Sequence, residues 1–136
     1  MNRETVCNTL RSRFKTLVAD VESLTTFYDN EQVDPANLTS TFAIMSVVFG
    51  ESTQVSAGED QTAQFRGVGM ATVELNGPLG AGDGALLALA DKVEIALRRV
   101  SISHLTIRTP STERVGPQGG RYVLVVTAPF YFDHFA

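Results

Sequence analysis

The sequence is poor in the residues that build covalent or metal-held frameworks: one cysteine, two histidines and no tryptophan among 136 residues. A single thiol, Cys7, excludes an intrachain disulfide and suits a reducing compartment. His104 and His134 each lack a second nitrogen or sulfur ligand at metal-site spacing, so no metal or other cofactor is expected. Apolar runs such as Phe42 to Phe49 fall far short of the ~20 residues of a membrane span. The stretch from Asn2 to Thr5 is polar and lacks the apolar core of a signal peptide, so neither membrane insertion nor secretion is expected. An excess of one charge is missing too: the net charge is −4 with acids and bases interspersed, and no basic stripe is available to grip a phosphate backbone. What is present is a 43% hydrophobic, 19% charged chain, ordinary for one globular domain over residues 1–136.

Val6, Leu10, Phe14, Leu17, Val18 and Val21 recur at helical spacing, which predicts an amphipathic helix from Asn2 to Ser23 with Asn2 as its cap. A short extended piece at Thr25 to Tyr28 and a polar loop from Asp29 to Thr41 follow. Phe42 to Phe49 is apolar on both alternating sets, as in a strand covered on both faces. With a second strand from Gln64 to Leu75 it makes a long hairpin through Gly50 to Thr62. Gly67 and Gly69 inside that strand signal a bulge or a close backbone approach. Leu86, Ala90, Val93, Leu97 and Val100 share one face of a helix over Asp83 to Val100. Ile102 to Arg108 alternates as a half-wet strand, Thr109 to Gly120 reads as a mobile connector, and Arg121 to Asp133 is a last strand. Its Tyr122, Leu124, Val126, Ala128, Phe130 and Phe132 form one apolar face, and Pro129 marks an edge or a bulge. The expected fold is α+β: a mixed, mostly antiparallel sheet of four or five strands with two helices packed on one face.

Catalytic signals are thin. Gly80-Ala-Gly82-Asp-Gly84-Ala85 satisfies a dinucleotide-binding pattern literally, between a strand and a helix. Its preceding strand alternates rather than reading as a buried parallel strand, and no acid ends the strand after the helix, so a flexible turn is the expected reading. Cys7 is expected to pack, the histidines to be exposed, and the paired acids Glu59 and Asp60 to sit solvated at the hairpin tip. No catalytic residue is expected.

Three segments carry a family pattern: Phe65-Arg-Gly-Val-Gly-Met-Ala-Thr-Val73, then Gly80 to Asp91 with its Leu89-Ala90-Asp91 end, then Gly116-Pro117 ahead of Tyr122-Val-Leu-Val-Val-Thr-Ala-Pro-Phe130 and Asp133. Over about half its length, from Phe65 to Asp133, the chain thereby resembles the tail-terminator family of long-tailed bacteriophages. The resemblance implies a homo-oligomer, a hexameric ring, that binds the tail tube protein, stops tube growth and offers a surface to the head-proximal connector or stopper protein. It also implies a place in the tail neck of the virion, host cytoplasm during assembly, and genome DNA that only passes through the lumen. The alternatives are another neck or head–tail adaptor protein, a nucleotide-binding domain using the Gly80 to Gly84 turn, and a monomeric host-binding module.

A counting argument suggests where copies would meet. Two helices about 10 Å across cover one face of a sheet whose strands lie about 4.8 Å apart, but not both faces. Val68, Met70, Val123, Val125 and Tyr131 fall on the opposite alternating set, and they are the expected oligomer interface. Glu51, Glu59, Asp60 and Arg114, placed in loops, and Arg121, where the last loop meets the last strand, are the expected partner contacts.

Overall fold

A computed structural model describes residues 2–29, 40–54, 64–80, 82–98, 101–102 and 104–135. Helix α1 (Arg3–Phe14) starts where Asn2 accepts the Thr5 backbone N–H at 2.8 Å, satisfying one of the free donors at its N-terminus. It runs on through a π-helical turn, Lys15–Ala19, closed by the Asp20 N–H on the Lys15 carbonyl at 2.9 Å. That wider turn shifts the facing of the helix by one residue. Val18 and Ala19 therefore point inward, while Leu17 and Val21, expected in the core, are exposed.

The remaining elements are β1 (Thr25–Phe27), β2 (Phe42–Gln54), β3 (Gln64–Pro78), α2 (Gly84–Leu97), β4 (Ser101–Ile102), β5 (Leu105–Ile107), β6 (Ser111–Gln118) and β7 (Arg121–Phe135). The α+β fold class holds, with a mostly antiparallel sheet in which, among the described residues, only β1 pairs in parallel, on β2. The sheet is wider than expected. Seven strand segments fill six positions, in the order β1-β2-β3-β7-β5-β4, with β6 beside β5 on the same edge of β7. Leu105 to Ile107 pair with Phe132 to Phe130, and Ser111 to Gln118 with Thr127 to Arg121, so β5 and β6 are one line of chain interrupted around Pro110. The expected connector over Thr109 to Gly120 is thus mostly strand. Its exposure on both sides erased the alternation by which strands are recognised. A bulge lies between Arg114 and Gly116, and Pro117 sits near the strand's end.

Strands β3 and β5 both run antiparallel to β7, which lies between them, so α2 completes a split β-α-β unit. The core fills the space between the helices and one sheet face. Val6, Leu10, Phe14, Val18, Leu86, Ala90, Val93 and Leu97 meet Ala43, Met45, Ala71, Val73, Leu75, Leu124, Val126 and Ala128 there. Near the start of α1, whose Arg3 guanidinium lies 5.7 Å from the Phe49 ring centre, the same face is closed by rings. Phe130 and Phe132 pair across from Gly69 and Gly67, and Phe49 meets both edge-on at 6.0 and 5.9 Å. A Cβ at residue 67 would come 2.4 Å from the Phe132 ring; at residue 69 it would come 2.5 Å from the Val48 carbonyl oxygen and 2.6 Å from the Phe130 ring. The close approach read from these glycines is therefore that of two phenylalanine rings lying across the strand.

Because a backbone oxygen cannot swing away, Gly69→Ala is expected to destabilise the fold by about 1–3 kcal/mol. Gly84→Ala, whose Cβ would meet nothing within 4 Å, is expected to be neutral or stabilising. Urea unfolding of the two variants measures the difference, and equal midpoints would contradict it.

Candidate functional site

The face of the sheet turned away from the helices follows from the register. Arg66 lies opposite Asp133, Val68 opposite Tyr131, and Met70 between Val48 and Pro129. Val48 and Met70 are 61% and 48% exposed, and Val68 is similarly open. With Pro129, Tyr131, the edge of Phe49 and Arg108 they line a shallow depression of about 380 Å³. Solvated valine and methionine clustered on one face form the kind of surface that binds something.

Cationic groups frame its end. The Arg66 guanidinium lies 4.5 Å from the Tyr131 ring centre and that of Arg108 lies 5.4 Å from it. Arg66 also grips Asp133, Nε to Oδ1 at 2.9 Å and Nη2 to Oδ2 at 3.3 Å, a two-pronged contact that fixes its side chain over the ring. The hydrogen bond from Arg66 holds the Asp133 carboxyl below its ordinary pKa, against the opposing effect of burial.

The expected interface residues do not all share one environment. Val68, Met70 and Tyr131 line the depression, while Val125 is half-buried farther along the same face. Val123 lies on that face as well but is only 2% exposed, buried within the chain although outside the main core cluster, so it is not available to a neighbouring copy. The loop contacts fare differently. Glu51 is exposed at the end of β2, and Glu59 and Asp60 lie outside the described residues. Arg114 belongs to β6 and pairs with Asp83 at 2.9 Å, and the Arg121 guanidinium stacks over Phe42 at 4.7 Å. Both bases thus serve contacts within the chain.

The glycine-rich turn is tied into the same framework. Gly80 and Gly82 have φ of 81° and 77°, which only glycine adopts without strain. Asp83 makes no side-chain cap on α2, because its carboxylate takes Arg114 of β6. The strand entering the turn is antiparallel to both its neighbours, unlike the parallel strand of a dinucleotide site. His134, expected to be exposed, stacks between Phe65 and Phe132 at 5.7 Å from each. His104 is exposed, and Cys7 is half-buried with its thiol pKa raised by that burial despite the nearby Arg11. Among the described residues no three His, Cys, Asp or Glu side chains gather as metal ligands do.

Asp133 carries a testable pH dependence. Its folded pKa is lowered, so its contribution to stability is complete above the pKa of a free aspartate, about 3.9, and is lost as pH falls through the folded value. Asp133→Asn should therefore cost most stability above pH 5, with the gap to wild type narrowing towards pH 2. Urea unfolding across that range tests this, and a gap that stays constant or widens in acid would refute the assignment.

No family model matches this chain, and no curated protein matches it in sequence. Solved structures do match. In one of them, a protein with no stated function, 96% of the chain superimposes on 95% of this one with a TM-score of 0.59 at 17% identity. At that identity the likeness is one of fold.

Proposed function

We propose that this chain is a structural subunit of a ring, a tail terminator of a long-tailed phage that caps the tail tube and presents a surface to the head-proximal connector. The resemblance over Phe65 to Asp133 supplies the family, and the exposed apolar face at Val48, Val68 and Met70 is the observation that carries the assembly. A chain that works alone gains nothing by holding that surface in water, where apolar area is costly by roughly 25 cal/mol per Å². A ring subunit covers it with a neighbour. The glycine turn then serves as the joint between β3 and α2, braced by Arg114, and the protein works by binding rather than by chemistry.

The expected mass of the purified protein, or of the protein bound at tube ends, is that of a closed ring, with six copies the number the family implies. Val68→Asp places a charge in the covered face and should weaken association by about 100-fold, roughly 3 kcal/mol. Light scattering coupled to size exclusion reads the mass, and circular dichroism should stay native because the site is on the surface. A wild-type chain that remains monomeric in solution and on tubes would end this reading.

A further inference from the structure

Six of the nine exposed large apolar side chains among the described residues lie on two opposite sides of the domain. Val48, Val68 and Met70 are on the open sheet face, while Leu17, Val21 and Ile95 are on the outside of the helical layer. Val21 and Ile95 are the most exposed, at 69% and 65%. The two helices are bound together around this second patch. Arg13 Nε donates to the Ala96 carbonyl at 2.6 Å, and Lys92 meets Glu22 at 2.7 Å.

From this arrangement we infer that the open sheet face of one copy receives the outer helical ridge of the next, at Leu17, Val21 and Ile95, so that the ring contact runs head to tail. The inference rests on the reading of the chain as a ring subunit and names which surfaces meet. Three observations select the occupant. The two patches face opposite ways, so one chain cannot satisfy both by itself, whereas a head-to-tail contact uses one of each per copy. The sheet face is hollow between Val48, Met70 and Tyr131, and Val21 and Ile95, the most exposed apolar side chains of the helical layer, are free to enter it, with Leu17 bordering a groove between α1 and Ile102 beside them.

Charge agrees. Among the described residues no carboxylate pairs with Arg108 at the rim of the hollow, and Asp20 beside Val21 and Asp91 one turn before Ile95 have no basic partner. Arg98, one turn past Ile95, gives the ridge a basic end, and the sheet face has an acid in Glu74, four residues past Met70 on β3. A sheet-to-sheet pairing of two copies would instead set one cation-framed hollow against another, a like-charge arrangement that interfaces avoid.

Two variants of the full chain test the contact. Met70→Asp disables the sheet face and Ile95→Asp the ridge, and each alone should be monomeric with a native circular dichroism spectrum. Mixed in equal amounts they should give a one-to-one heterodimer and nothing larger, because a single intact sheet face and a single intact ridge remain in the pair. Native mass spectrometry distinguishes the two chains by mass. Val48→Asp with Val21→Asp, at the two most exposed positions of the same surfaces, provides an independent pair should either first variant fail to fold. If Ile95→Asp and Val21→Asp still form rings, the ridge is not the occupant, while the ring reading stands. If the variants are monomeric and their mixtures stay monomeric, the head-to-tail pairing is overturned. A monomeric wild type with no assembly on tubes overturns the ring and this contact together.

Discussion

The fold depends on two rings lying over two missing side chains. Phe130 and Phe132 of β7 cross β3 where Gly69 and Gly67 leave room, and Phe49 of β2 meets both edge-on. Three central strands are thereby locked in a single register. A slip of one residue would drive a ring into a side chain and send the whole alternating set to the wrong side of the sheet. The same lock decides what the other face displays. With Phe130 and Phe132 inward, Pro129 and Tyr131 must point outward, and with Gly67 and Gly69 inward, Val68 and Met70 must do likewise. The core and the proposed assembly surface are two sides of one packing decision.

Much of this was readable in the sequence wherever one side of an element is buried and the other wet. The inward sets of β3 and β7 and the inward face of α2 announce themselves by period, because burial imposes it, whereas β2 is apolar on both sides in sequence although its Val48 is exposed. The failures share a cause. Strand β6 is exposed on both sides, so its residues obey no period, and its glycine and proline resemble those of a loop. Leu17 and Val21 fit a regular helix in sequence, and nothing local reveals the π-helical turn that rotates them outward. Val123 alternates with the inward set, yet it too is buried, at the end of the open face and outside the main core cluster. Period identifies facing; it does not say which facing side chains a neighbouring part of the chain will cover.

The ion pairs show a similar division. Arg66 with Asp133 and Arg114 with Asp83 join residues far apart in sequence, 67 positions in the first case. Neither is a spacing that a reader of the sequence could select. The first holds a guanidinium flat against Tyr131 beside the open hollow, and the second fastens the turn before α2 to the sheet. Both are partly exposed, so their value lies in positioning more than in net stability.

The outer border of the sheet has a consequence for how copies can grow together. A row of unpaired backbone groups along β6 is a template on which another chain's strand could zip, a common route to uncontrolled fibres. Here the bulge between Arg114 and Gly116 bends that row, Pro117 removes a donor from it, and the charges of Glu113 and Arg114 keep it hydrated. These features oppose sheet continuation from molecule to molecule at this border, which agrees with the proposed joining of copies through their faces. In the proposed ring, geometry fixed by side chains, rather than open-ended backbone zipping, would set how many copies assemble before the arrangement closes.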